Sequence, residues 1–310
     1  MSVLSQPQFH DEEAAFAWLE STLWPEGALC PHRGCMGRIG KIKANPEKRV
    51  RLGLHKCGDC KKQFTVKVGT VFEHARMPLH KMLQAVHLMC SSKKGISAHQ
   101  LHRTLDVQYK TAWFLAHRIR DAMRSGDLAP FGAGGGIVEA DETFIGNDPD
   151  RPKKPGARGY HHKNKILALV DRDTGRARTM VVDELNAKTL APILNENIAK
   201  EANLMTDEAA YYIPLGKAFD SHQFVNHGKG EYGRGEVHVN TLEGFFSIFK
   251  RGMKGVYQHC GKQHLHRYVA EFEFRYNNRI ALGTNDTERS LKAIAGCVGK
   301  RLMYRDSIGA

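Results

Sequence analysis

The sequence predicts a multidomain α+β chain with three modules in order: a small cysteine-bearing knuckle domain, a helical pair, and a mixed α/β domain around one sheet. Three observations predict it. Four of the seven cysteines fall in two close pairs, Cys30/Cys35 and Cys57/Cys60. Apolar residues recur at helical spacing between Pro78 and Met123, interrupted at Gly95 and Asp106. Beyond the glycine-rich stretch Ala133-Gly134-Gly135-Gly136, apolar runs read as strand, strand, strand, helix, strand.

The first element is a helix over 11–23, with Ala15, Phe16, Leu19 and Leu23 on one face, ended by Trp24-Pro25-Glu26-Gly27. Each cysteine pair sits on a Gly-containing turn, with room for a hairpin between them. Zn²⁺ takes four tetrahedral thiolates from two such knuckles, so Cys30, Cys35, Cys57 and Cys60 are the expected ligands of one structural zinc ion. The first pair encloses more residues than the second, which leaves His32 as a competing ligand. Cys90, Cys260 and Cys297 stand alone and are expected to be incidental thiols.

Pro78 opens a helix whose face is Leu79, Met82, Leu83, Val86, Met89 and Cys90. A short helix over 96–105, a tight turn at Asp106-Val107-Gln108 and a second helix over 109–123 suggest a helix-turn-helix. On that reading Gln108, Tyr109, Lys110 and Thr111 reach base edges, while His117, Arg118, Arg120 and Arg124 lie near phosphates. An ordinary helical hairpin with a solvated basic face fits the same pattern.

Strands are expected at 137–143, 165–171, 176–182 and 204–207, the second and third joined at Asp173-Thr174-Gly175. Asn186 can cap a helix bearing Leu190, Leu194 and Ile198. Asp141 lies in the first strand, Asp207 ends the last, and Glu243 opens a helix over 241–251. Two carboxylates on strands and a third on a helix can converge on a pair of divalent cations, the arrangement used for in-line displacement at phosphorus. Lys250 lies two turns beyond Glu243 on one helix face. Glu139 shares a strand face with Asp141 by alternation.

A formal net charge of +13 favours a polyanionic partner, with nucleic acid the default. No apolar run approaches the ~18–20 residues that span a bilayer, so no membrane is expected. The segment Phe9-His10-Asp11-Glu12-Glu13 is acidic where a signal peptide would be basic, which makes a reducing cytoplasm, at the nucleoid, the expected location. The loop from Gly146 to Lys165 carries Arg151, Lys153, Lys154, Arg158 and Lys163 and is expected to order on DNA, or to be a solvated insertion.

Several segments in order, among them Ser91-Ser92-Lys93-Lys94-Gly95-Ile96-Ser97, Lys110-Thr111-Ala112-Trp113-Phe114, Val138-Glu139-Ala140-Asp141-Glu142-Thr143, Thr206-Asp207-Glu208, Val225-Asn226-His227, His238-Val239-Asn240-Thr241-Leu242-Glu243-Gly244-Phe245 and Phe274-Arg275-Tyr276-Asn277, resemble a bacterial insertion-sequence transposase. The similar family joins a zinc ribbon, a helix-turn-helix and a ribonuclease-H-like mixed α/β catalytic domain whose signature is two Asp, then Glu or Asn, then Lys. The resemblance implies that Asp141, Asp207 and Glu243 hold two Mg²⁺ or Mn²⁺ ions and that Lys250 contacts DNA near the scissile phosphate. Asn240, one turn before Glu243, is the competing or assisting ligand.

It further implies a DNA transposase that binds element ends in double-stranded DNA, cleaves them and transfers the 3′-OH strand to a target, as a homodimer or higher oligomer. A DNA-binding regulator or inactive domesticated copy, and a metal-dependent nuclease without strand transfer, are the alternatives. The expected division is 1–75 for the N-terminal helix and zinc ribbon, 76–130 for the helix-turn-helix, 131–280 for the catalytic domain and 281–310 for a C-terminal tail of unstated role. Phe245 stands where relatives often have Trp, and Gln108 is a weak helix cap.

Overall fold

The computed structural model describes all residues except 1, 33, 34, 36, 46, 49, 125, 127, 128, 154, 157, 158 and 304–310. Lys154 and Arg158 of the basic loop therefore lie outside the described residues, as do Arg33 and Gly34 between the first two cysteines. In chain order the first elements are α1 (Glu12–Leu23), β1 (Ile39–Lys41), β2 (His55–Cys57), β3 (Gln63–Phe64), α2 (Leu79–Ser91), α3 (Ala98–Leu105) and α4 (Tyr109–Ala122). There follow β4 (Ile137–Ile145), β5 (Asn164–Asp171), β6 (Arg176–Val182), α5 (Ala187–Asn197), β7 (Asn203–Thr206), α6 (Tyr212–Gly216), β8 (Ser221–Phe224), α7 (Asn240–Gly252), α8 (Lys262–Asn277) and α9 (Asp286–Ala295).

The chain divides into two compact units, residues 1–92, 96–124 and 284–310 in one, 93–95 and 125–283 in the other. In the first unit, Asp11 caps α1 by accepting from the Ala14 N–H at 2.7 Å, and α1 buries Ala15, Phe16 and Leu19. Strands β1, β2 and β3 form a small antiparallel sheet in that order. Ser97 caps α3 through the Gln100 N–H at 3.1 Å, and Asp106 ends it in the left-handed region at φ 49°. The C-terminal segment supplies α9, which packs on α2. A capping box starts α9: Asn285 and Glu288 each accept from the other's backbone N–H at 2.9 Å. The buried guanidinium of Arg289 then donates to the Cys90 carbonyl at 2.7 Å.

The second unit is built on a five-stranded sheet of order β6-β5-β4-β7-β8. The pairs β6/β5 and β5/β4 are antiparallel, while β4/β7 and β7/β8 are parallel. This mixed sheet flanked by helices is the ribonuclease-H-like architecture. All eight positions of β5 are buried, because helices cover both faces of the sheet. Val138, Ala140, Leu167 and Leu169 pack on one face with Leu190, Leu194 and Tyr212. Ile166, Ala168 and Val170 pack on the other with Phe245, Phe249 and Phe272. Each large apolar side chain contributes about 1.5–3 kcal/mol on burial, so the two layers hold β4 and β7 firmly. Among the described residues, no helix is long and apolar enough to cross a membrane.

Candidate active site and metal centres

Strand register brings the first two carboxylates together. Strands β4 and β7 run parallel with Ile137 opposite Asn203 and Glu139 opposite Met205, so two residues further on Asp141 stands level with Asp207. Asp141 Oδ1 accepts from the Glu142 N–H at 2.7 Å, and Asp207 Oδ1 from the Ala209 N–H at 3.0 Å. Carboxylate oxygens of Asp141, Glu142 and Asp207 all lie within 4.8 Å of one another. Glu243 and Asn240 sit on the first turn of α7 and are exposed. Lys250 follows on the same helix, its Nζ 6.0 Å from the Phe246 ring centre.

Glu139, completely buried, holds this helix to β4. Its Oε2 accepts from the Leu242 N–H at 2.9 Å and its Oε1 from Arg172 Nε at 2.7 Å. Arg172 in turn donates to the carbonyls of Glu236 at 2.7 Å and His238 at 2.8 Å. Glu139 is thus an anchoring acid at a helix N-terminus, where both the N–H donors and the dipole favour a negative charge. Glu208, which directly follows Asp207, anchors a loop in a similar way, accepting from the N–H groups of His227 at 2.9 Å and Gly228 at 3.0 Å.

Electrostatics match a site built for cations. Burial, then repulsion from Glu142 and Asp207, pushes the Asp141 carboxyl from 3.8 up to about 8, with Glu243 adding a smaller repulsion. Burial raises Glu142 despite two phenol donors, and burial and Glu208 raise Asp207. Among the described residues, no Lys or Arg pairs with any of these three carboxylates. Hard cations with oxygen ligands such as Mg²⁺ or Mn²⁺ fit that donor set.

In the first unit, Cys30, Cys35, Cys57 and Cys60 offer four sulfurs within 4.8 Å of one another. The Sγ atoms of Cys30 and Cys60 are 3.8 Å apart, the edge expected of a tetrahedron with bonds of about 2.3 Å. Backbone N–H groups of Cys60 and Asp59 lower Cys57 to about 7, whereas burial pushes Cys35 up to about 12 and raises Cys30. One thiol ionises readily and its neighbours resist, a conflict that a bound cation removes. His32 Nδ1 lies 3.3 Å from Cys30 Sγ and 3.9 Å from Cys60 Sγ, beside the cluster.

Helices α3 and α4 pack against each other, as both a helix-turn-helix and an ordinary helical hairpin require, and Gln108, Tyr109, Lys110 and Thr111 are exposed at the start of α4. Gln108 makes no side-chain cap. Lys110 and Thr111 border a groove of about 870 Å³ that also takes in Arg76 and Lys81. The phosphate-facing set reads differently. His117, Arg118 and Arg120 are buried, and Arg118 is only 7% exposed. Its guanidinium lies 4.7 Å from the Phe114 ring centre and donates to the Glu73 carbonyl at 2.8 Å, so it packs inside the unit. Arg124 stays exposed, 3.4 Å from Asp121.

Tyr211 and Tyr212 carry no sequence motif that singles them out. Tyr211 donates to Glu142 Oε1, and Tyr212 to Oε2 at 3.0 Å. Their signal is position alone: two adjacent phenols just after Asp207-Glu208.

A family model described as an ISXO2-like transposase domain matches residues 134–277, and one described as a transposase zinc-ribbon domain matches residues 10–63. The chain is 29% identical over 287 residues to an uncharacterized protein in transposable element ISH50 of Halobacterium salinarum, covering 86% of this chain and 91% of the relative. It is 28% identical over 100 residues to an uncharacterized transposase-like protein of Haemophilus influenzae, covering 32% of this chain and 80% of the relative. Among solved structures it is similar to the Mos1 transposase paired-end complex with left transposon end, at 12% identity and a TM-score of 0.28, over 72% of this chain and 77% of that one. The fold assignment rests on strand order, independently of that likeness. With both domain models matched in order, and a transposable-element protein aligned over most of its length, this chain is similar to the insertion-sequence transposases that join a zinc ribbon to an ISXO2-like transposase domain.

Proposed function

We propose that this protein cleaves DNA at the ends of its element and transfers the freed 3′-OH strand into target DNA. The observation that carries this reading is the convergence of Asp141 and Asp207 on adjacent parallel strands, with the helix of Glu243 anchored to the same strand through Glu139. Asp141, Asp207 and Glu243 would hold two Mg²⁺ or Mn²⁺ ions, with Asn240, one turn before Glu243 on α7, as the competing or assisting ligand. When bound, such ions supply an activated water and a counter-charge for the departing 3′ oxygen.

The chain's own residues do the rest. Asp141 and Asp207, fixed by backbone N–H groups, keep their carboxylates aimed at one point, which spares reorganisation during the displacement. Lys250 places an ammonium along the helix from Glu243 to grip a phosphate of the strand being cut. Gln108, Tyr109, Lys110 and Thr111 read the element end from the exposed start of α4. Arg118, being buried, supports that helix from within. Cys30, Cys35, Cys57 and Cys60 hold Zn²⁺ as a closed structural site that contributes folding energy. Two element ends must meet before joining, which calls for a dimer or higher oligomer on double-stranded DNA.

A cleavage assay on labelled element ends tests the reading. Asp141→Asn is expected to bind the ends and leave them uncut in Mg²⁺ and Mn²⁺, and a variant that cuts at the wild-type rate contradicts it.

A further inference from the structure

We propose that Glu142 is a fourth metal-directed carboxylate of this site, held by Tyr211 and Tyr212 so that it shares the cation bound between Asp141 and Asp207. The inference rests on the proposed function and adds a residue to it. Strand alternation sends neighbouring side chains of β4 to opposite faces of the sheet, so Glu142 would ordinarily point away from Asp141. The structure does otherwise at this point of the strand. A Glu142 oxygen comes within 4.8 Å of ligand oxygens of both aspartates.

The two tyrosines explain how a third carboxylate is kept there. Tyr211 donates its O–H to Oε1 and Tyr212 donates to Oε2. Tyr212 is fully buried and Tyr211 packs against the same core cluster, so neither phenol swings freely. Each carboxylate oxygen has two lone pairs, and one phenol occupies one of them. A lone pair on each oxygen thus remains for a cation.

Charge points the same way. Three half-buried acidic side chains converge at one point, and among the described residues no Lys or Arg pairs with any of them. Ionised together they repel one another unless a cation intervenes. Two phenol donors are matched by an acceptor at each carboxylate oxygen, and the negative charge that the carboxylate brings remains available to a cation.

The test is Mn²⁺ binding to the zinc-loaded full chain, followed by the electron paramagnetic resonance signal of free Mn²⁺, with no DNA and no turnover. Wild type is compared with Asp141→Asn, Glu142→Gln and Tyr211→Phe. Glu142→Gln is expected to weaken Mn²⁺ binding roughly tenfold or more, and Tyr211→Phe by roughly tenfold, the lower end of the range seen when outer-shell partners of metal ligands are removed. If Asp141→Asn loses Mn²⁺ while Glu142→Gln binds it as wild type does, the proposal is overturned and the wider active-site reading stands. If Asp141→Asn itself binds as tightly as wild type, both fall. Should Glu142→Gln fail to fold, Tyr211→Phe decides: unchanged affinity in that folded variant overturns the proposal.

Discussion

Glu139 accepts a hydrogen bond of 2.9 Å from the backbone N–H of Leu242, the residue just before Glu243. Because Glu139 also lies two residues before Asp141 on β4, one buried carboxylate ties the strand of the first acid to the helix of the third. The link is strengthened by Arg172, which pairs with the same carboxylate at 2.7 Å and holds the loop leading into the helix.

Glu139→Ala should therefore destabilise the second unit by about 3–5 kcal/mol, because Arg172 loses its partner while still largely buried. Cleavage by the folded fraction should fall on the order of a hundredfold as Glu243 loses its fixed starting point. Urea unfolding with parallel end cleavage checks both, and a stability change under about 0.5 kcal/mol would remove the anchoring role.

The raised Asp141 carboxyl gives a pH dependence with a definite sign. An acid whose folded pKa lies above its unfolded value binds its proton more tightly in the folded chain. Its contribution to stability is full below the unfolded value of 3.8 and is lost as pH rises toward about 8. Without Mg²⁺ or Mn²⁺, Asp141→Asn should melt several degrees above wild type at about pH 7.5, with the gap narrowing at about pH 5. A variant that melts at or below wild type at the higher pH would show that this carboxyl is not under charge stress.

Cys57→Ser removes a thiol that backbone N–H groups make easier to ionise and, of the four clustered cysteines, the one that is fully buried. The variant should emerge from purification without zinc and with a melted ribbon, seen as lost zinc by elemental analysis and lost N-terminal amide protection. Retention of zinc at the wild-type level would point to His32 filling the gap.

Lys110 and Arg118, both basic and on α4, should behave oppositely. Lys110→Ala is expected to weaken binding to element ends by roughly tenfold while the melting temperature holds. Arg118→Ala is expected to lower stability by about 2 kcal/mol, since it empties a buried position over Phe114 and leaves the Glu73 carbonyl without its donor. Equal effects of the two on binding with unchanged stability would restore Arg118 to a DNA-facing role.

Much of the fold is legible from local chemistry. The first three strands of the sheet, the Asn186 cap of α5 and the cysteine knuckles follow from apolar runs, capping residues and cysteine spacing. Asp141 and Asp207 are legible as strand residues, but their level placement requires the parallel register of β4 and β7, which no local pattern states. Arg118 misleads because a helical wheel counts arginine as polar, whereas its long stem can lie on an aromatic ring and reach a carbonyl inside the fold. Glu142 is hidden by strand alternation, overridden here by two phenols beyond the end of β7. The sequence around α9 offers only the weak stripe Leu291, Ile294 and Val298, the last of which lies beyond the helix, since much of the helix's anchoring comes from a capping box and from the buried Arg289.

Cleavage and joining at one site are tested most directly by a strand-transfer assay with labelled element-end DNA, a supercoiled target and Mg²⁺ or Mn²⁺, comparing wild type with Glu243→Gln and Asn240→Ala. Joined products are expected from wild type, none from Glu243→Gln, and reduced but detectable joining from Asn240→Ala. Tight, end-specific binding by the wild type with no cleavage or joining in either metal would contradict that expectation and make this protein a DNA-binding regulator.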